Sequence, residues 1–180
     1  MSEIKHRIQL GELVKELCGE LGNACEVGVA EGNFSKILLN MGFNKLYMVD
    51  NWGTIEGVTG DGNFPQEWHD ANFEKAKEQV RNFENAIILR GMSDEMSKHI
   101  PDESLSLVYL DGGHDYRSVW FDLKNYLSKL KQGGIMAGHD FINPAYGVHD
   151  AVQKFCKGRF TVHTILENDP LNAGFWFQKI

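Results

Sequence analysis

The chain has 180 residues, 42% hydrophobic and 24% charged, with a formal net charge of −7. That length and balance suit a single domain, residues 1–180, with a core of its own. The acidic charge disfavours a broad nucleic-acid or anionic-membrane interface, because no basic patch is available to displace counterions. No apolar run approaches the length of a membrane span.

In chain order, short apolar runs alternate with helical patterns. "IQLGELVKELCGEL" sets Ile8, Leu13, Leu17 and Leu21 near one face of a helix. "ACEVGV" follows as a buried strand, "NFSKILLNMG" as a helix closed by Gly42, and "KLYMVD" as a second strand ending in Asp50. The segment from Asn51 to Gln66 is too long for an ordinary connection and reads as a pocket cover or a surface insertion. "EWHDANFEKAKEQVRNF" is a charged amphipathic helix, "NAIILRG" a third strand, and "SDEMSKHI" a short helix with Ser93 as its expected N-cap.

"SLSLVYLD" is the fourth strand, and "YRSVWFDLKNYLSKL" a helix with Trp120 and Phe121 on its core side. "GGIMAGHD" is the fifth strand and "YGVHDAVQKFC" a helix. "FTVHTILE" and "GFWFQKI" read as a closing antiparallel hairpin, although the apolar "GFWF" would also suit a homodimer edge. This alternation implies a Rossmann-like, doubly wound α/β fold: a mostly parallel seven-stranded sheet with an antiparallel C-terminal edge hairpin. Cys18, Cys25 and Cys156 are widely spaced, with no CxxC pair, and read as buried thiols of a cytoplasmic protein. "MSEIKHRIQL" carries no long apolar core of a secretory leader.

In such sheets ligands sit beyond the carboxyl ends of the strands. Gly28 and Gly32, Asp50, Gly91 to Ser93, Asp111 and His114, and His139 and Asp140 all fall there. Glu26-x-Gly28-x-x-x-Gly32 is not the GxGxxG dinucleotide fingerprint, because its glycines are too far apart. Gly28 permits a sharp turn and Gly32 a close backbone approach. Asp50 stands where a carboxylate can accept from a ribose diol, so the edge reads as nucleoside-binding. Asp111, His114, His139 and Asp140 offer carboxylates and imidazoles for acid–base work or for a hard divalent cation.

"EVGVAEGNFS", "LYMVDNW" and "LVYLDGGHDYRSVWFDLKNYLSKLKQGGIMAGHDF" together resemble a class I S-adenosylmethionine-dependent methyltransferase. They resemble most the small-molecule branch with Asp-x-x-His-x-Tyr and Gly-His-Asp segments. That resemblance implies S-adenosylmethionine as cofactor. Glu26, Gly28 and Gly32 would line its methionine portion, Asp50 would hold the ribose with Asn51 and Trp52 nearby, Met92 and Ser93 would flank the adenine, and Asp111 would also contact the cofactor. It also implies methylation of a hydroxyl of a small molecule such as a sugar or nucleotide sugar. A Mg2+ or Mn2+ ion would be shared by Asp111 and Asp140; alternatively His114 or His139 serves as base without a metal. The competing readings are methylation of nitrogen or of a nucleic acid, a cofactor-binding subunit without activity, and a metal-dependent hydrolase on a similar sheet.

Overall fold

The computed structural model describes residues 4–57 and 61–180. Residues 58–60, inside the long segment expected to cover a pocket, lie outside the described residues, as do residues 1–3. In chain order the elements are α1 (Leu10–Cys18), β1 (Asn23–Val27), α2 (Asn33–Met41), β2 (Lys45–Asp50), α3 (Gln66–Val80) and β3 (Ala86–Arg90). They continue with α4 (Ser93–Met96), β4 (Leu105–Leu110), α5 (Tyr116–Leu127), β5 (Leu130–Gly138), α6 (Val148–Cys156), β6 (His163–Ile165) and β7 (Gly174–Gln178). A one-turn 3-10 helix, Arg7–Gln9, leads into α1.

One seven-stranded sheet carries the order β3-β2-β1-β4-β5-β7-β6. Strands β1 to β5 are parallel, and β7 runs antiparallel between β5 and β6. The expected doubly wound sheet with an antiparallel closing hairpin is what the chain forms. Strand alternation splits the core in two. Ala24, Leu46, Met48, Leu107 and Tyr109 pack under α1, α2 and α3, while Cys25, Val27, Val49, Val108 and Met136 pack under α5 and α6. Phe175, Trp176 and Phe177 are buried in β7, one strand in from the edge, so "GFWF" is interior and offers no apolar edge to a partner.

Several boundaries differ from the sequence expectation, each for a local reason. Gly19, left-handed at φ 80°, ends α1 three residues early. Leu130 belongs to β5 rather than to the preceding helix: Leu105 and Leu130 are register partners, and the chain turns at Ser128–Lys129. The "FTVHTILE" strand shrinks to three residues. Ser93 does not cap α4; Met92 occupies that position without a side-chain cap, because the Ser93 hydroxyl is committed to Asp122. Phe121 is 46% exposed while Trp120 packs against Phe155, so only one of those two rings faces the core.

Among the described residues no helix is long and apolar enough to cross a membrane. Cys25 and Cys156 are buried and Cys18 is half-buried, all as free thiols.

Candidate active site

The sheet changes direction of winding between β1 and β4, the place where doubly wound folds open a crevice. Backbone pairing continues past the strand ends and keeps them level. Gly91 N–H donates to the Asp50 carbonyl (2.9 Å), Gly28 to Val49 (2.9 Å), Asp111 to Val27 (2.7 Å) and His139 to Leu110 (3.1 Å). Residues distant in sequence therefore arrive on one ledge.

Gly28, at φ 87°, sits at the seam itself. A Cβ there would run into the carbonyl of Asp111 and the Gly112 nitrogen, so only glycine lets β1 and β4 end side by side. Gly32, at φ 79°, also serves helix packing. Its missing side chain makes room for the Ala76 backbone, 3.0 Å from where a Cβ would stand, and so lets α2 pack on α3.

Asp50 closes β2 and organises the loop opposite. Its Oδ2 accepts from Val29 N–H (2.8 Å) and Ala30 N–H (2.9 Å), and its Oδ1 accepts from Trp52 N–H (2.8 Å). Of about four acceptor directions on a carboxylate, these bonds leave one. Ala30 and Trp52 hold left-handed backbones, φ 48° and 40°. Trp52 is buried, stacks obliquely on Phe73 and donates through Nε1 to the Ala30 carbonyl (2.8 Å). It braces the glycine loop from beneath and does not present its ring to the crevice. Asn51 donates to the Gly53 carbonyl at 2.9 Å. The described part of the 51–66 segment is bonded across its own stem, Ile55 N–H to Gly62 and the Thr54 hydroxyl to Phe64.

Glu26 lies beneath the same loop, only 1% exposed, and accepts a hydrogen bond from the Ser35 hydroxyl in the first turn of α2. Burial pushes its carboxyl up to about 8, against the lowering effect of that hydroxyl, so it is largely protonated near neutral pH. It supports the loop from inside and does not line an open surface. Met92 is exposed at the β3–α4 turn. Ser93 Oγ donates to Asp122 Oδ1 at 2.5 Å, and its carbonyl accepts from the Tyr126 hydroxyl at 2.9 Å. Asp122 is itself buried in α5; desolvation raises it to about 6 although Ser93 pulls the other way.

The four expected catalytic groups come together. Asp140 is turned into the ledge by a left-handed backbone, φ 54°. Its Oδ2 lies 3.0 Å from His114 Nε2 and 3.1 Å from His139 Nδ1. Asp111 Oδ1 lies 3.6 Å from His114 Nε2 and 3.7 Å from His139 Nδ1. These are short separations without hydrogen bonds: His114 Nε2 is buried and has no aligned partner. Donor atoms of Asp111, His139 and Asp140 all lie within 4.8 Å of one another, a mixed oxygen–nitrogen set that suits a divalent cation. Burial alone would lower His114, but the carboxylates of Asp111 and Asp140 prevail and push it up to about 9. Burial alone would raise Asp140, yet His114 and His139 hold it well below the ordinary carboxylate range. The His114 ring stacks on Tyr146, centroids 4.7 Å apart, and Tyr146 is exposed. Asp115, rather than Asp111, caps α5, accepting from Arg117 and Ser118 N–H. Asp111 is therefore left facing the crevice.

Arg7 was not expected here. Its Nη1 is 3.6 Å from Asp111 Oδ2 and 3.3 Å from the Tyr109 hydroxyl, and its guanidinium lies 4.8 Å from the Phe34 ring centre. One sequence signal pointed to it. Helices of this fold run back from the carboxyl edge of the sheet, so a residue just ahead of a helix stands at that edge. Two surface grooves, one on α2 and α3 and one on α6, do not touch this cluster.

Residues 25–141 match a protein family described as "Methyltransferase domain". No curated protein matches the chain. Among solved structures, CalS11, a calicheamicin methyltransferase, superposes with a TM-score of 0.68 at 14% identity, covering 95% of this chain and 77% of that one. The O-methyltransferase NovP gives 0.65 at 19% identity, covering 95% and 79%. An rRNA methylase from Streptococcus thermophilus gives 0.68 at 13% identity, covering 99% of each chain. At these identities the likeness is one of fold.

Proposed function

The chain belongs to the methyltransferase-domain family and is an S-adenosylmethionine-dependent methyltransferase; from that premise we propose that it methylates a hydroxyl of a small molecule, such as a sugar or nucleotide sugar, with help from a divalent cation. The observation that carries this reading is the convergence of Asp111, His114, His139 and Asp140 beside the glycine-loop seam. CalS11, named a TDP-rhamnose 3'-O-methyltransferase, and NovP, named an O-methyltransferase, share the fold and lend support.

Each group has work to do. Asp50 keeps one acceptor direction for a ribose hydroxyl while fixing the loop that a nucleoside would rest on. Met92 offers an exposed thioether to the adenine face. Asp111, His139 and Asp140 would hold a Mg2+ or Mn2+ ion, whose charge, when bound, makes an acceptor hydroxyl more acidic. His114 keeps its proton up to about 9 when only the carboxylates face it. Beside a cation held by those three residues, its charged form is disfavoured. The His114 imidazole can then serve as the base for the acceptor's proton, with Asp140 Oδ2, 3.0 Å from Nε2, steadying the imidazolium. Tyr146, exposed and stacked on His114, gives a flat apolar face for a sugar ring.

A second reading, methylation of RNA, draws on the rRNA methylase of equal length among the similar structures. The net charge of −7 works against it. The deciding experiment is titration of the protein with S-adenosylmethionine, with and without Mg2+ or Mn2+, followed by a screen of nucleotide sugars and of RNA. Metal-stimulated formation of an O-methylated sugar supports the proposal. Methylated RNA, or turnover indifferent to both metals and metal chelators, overturns it.

A further inference from the structure

The two borders of the sheet are built differently. At one border β6 is only three residues long and ends on the buried Ile165, so it presents a short edge. At the other, β3 runs Ala-Ile-Ile-Leu-Arg with none of these residues fully buried, although the neighbouring β2 is buried from Leu46 to Val49. Its pairing with β2 continues without a bulge from Ala86 to Arg90, and it holds no proline and no lysine. The devices that ordinarily blunt an open strand are missing from it.

Pairing with β2 fixes which backbone groups point out. The Leu46 N–H donates to the Asn85 carbonyl at 3.0 Å, and the Gly91 N–H donates to the Asp50 carbonyl at 2.9 Å. Bonding groups alternate along a strand, so Asn85, Ile87, Leu89 and Gly91 bond inward while Ala86, Ile88 and Arg90 turn outward. The Ala86 N–H is taken by the Phe83 carbonyl at 3.2 Å, which leaves the Ala86 carbonyl and both backbone groups of Ile88 facing out. The ends of this edge carry opposite charges. Glu84, in the turn into β3, is exposed. Arg90, at the far end, gives Nη2 to Asp70 Oδ1 and to the Trp52 carbonyl, both at 2.8 Å, and keeps its other donors for a further partner.

We propose that β3 pairs with β3 of a second copy of this chain, antiparallel about a two-fold axis at Ile87, so that two seven-stranded sheets become one. Outward residues must oppose outward residues, so the register slips only in steps of two. The register centred on Ile87 sets Ala86 against Ile88 of the second copy, small against large, on the face that packs under α3. Ile87 meets its own counterpart on the face that packs under α5. Glu84 comes beside Arg90 of the second copy, once at each end of the ribbon. A slip of one step sets Glu84 against Met92 or Ile88 and loses both charge pairs. The Ile88 N–H of each copy then donates to the Ala86 carbonyl of the other. An edge that complements its own reverse in charge and in side-chain size is fitted to itself rather than to a foreign strand.

Sedimentation velocity and amide exchange on the full chain test it. The wild type is expected to be dimeric at about 100 μM, with the Ile88 amide gaining protection as the dimer forms. Glu84→Arg, a change on an exposed turn, sets like charges together twice and should raise the dissociation constant about tenfold or more. That rise should shrink in about 1 M salt. Ile88→Pro removes a donor that β2 does not use, as proline at an open edge can, and should abolish the dimer. Circular dichroism shows whether that variant folds; if it does not, Glu84→Arg and the exchange pattern decide alone. A wild type that stays monomeric at the same concentration overturns the inference. So does a dimer that Glu84→Arg leaves as tight as before, or one in which the Ile88 amide exchanges as fast as in the monomer, because either places the interface elsewhere.

Discussion

Gly28 and Asp111 meet backbone to backbone at the one place where neighbouring parallel strands diverge in connection, and no side chain fits between them. Gly28→Ala must therefore move β1 away from β4 or abandon φ 87°. The variant is expected to lose about 2 kcal/mol or more of stability, from strain and displaced backbone together. It also loses nucleoside binding. Urea denaturation and S-adenosylhomocysteine titration check both.

Asp50 is bonded to three backbone N–H groups of its own protein before any ligand arrives. Asp50→Ala is thus expected to lower stability by about 1–3 kcal/mol as well as to weaken cofactor binding. Asp140→Ala should leave cofactor binding intact and abolish turnover. Parallel melting curves and calorimetry on the two variants separate these outcomes.

Cation and proton compete for the same cluster. Because His114 holds its proton up to about 9 in the cation-free protein, Mn2+ affinity should rise as pH increases from 6.5 to 9 and proton release should accompany binding. His114→Asn flattens that slope. Asp111→Asn and Asp140→Asn should each weaken Mn2+ binding by tenfold or more, on the order seen when a metal site loses a supporting group. Calorimetry in buffers of different ionisation enthalpy reads the proton count.

Stability should carry the same signature. His114 is raised from 6.5 to about 9, so its contribution is full below 6.5 and is lost as pH climbs through 9. Asp140 is lowered, so its contribution is present above its ordinary 3.8 and is lost on acidification below it. Glu26 has the opposite sense to Asp140. It is raised from 4.5 to about 8, so folding is opposed increasingly as pH rises across that window. Glu26→Gln keeps a partner for Ser35 without the charge. It should match the wild type near pH 5 and exceed it above pH 8 in chemical denaturation.

Ser93 answers to a buried acid, not to its helix. Ser93→Ala strands the Asp122 carboxylate in the core and is expected to cost about 1–3 kcal/mol. Ser93→Ala combined with Asp122→Asn should cost less than the sum of the two single changes, because one carries the penalty of the other. A double-mutant denaturation cycle checks this.

The fold was readable because its signals are strongly periodic: apolar runs ending in acid or glycine, alternating with amphipathic helices. The gathering of Asp111, His114, His139 and Asp140 followed from the same pattern, since strand ends share an edge. What the pattern does not encode is direction within a loop. Trp52 and Glu26 occupy the right positions but turn inward, one to brace Ala30 and one to meet Ser35. Gly32 serves the contact between two helices. Arg7 stood just ahead of the segment read for its apolar spacing, in a stretch weighed only for the apolar core of a leader. Asp122 was visible as an acid on the same helical face as Val119, Leu123 and Tyr126, a hint that something polar must lie against it.

The crevice has two lips drawn from opposite halves of the chain, Gly28 and Asp50 on one and Asp111 and Asp140 on the other, joined by pairing of β1 with β4. During synthesis the first lip therefore leaves the ribosome long before the second exists, and a nascent chain halted after α4 has nothing to close against its glycine loop. Such distant pairing slows the search for the native state. It also makes a bound nucleoside a sensitive reporter of that search, since nucleotide capture during refolding marks the moment the two halves dock.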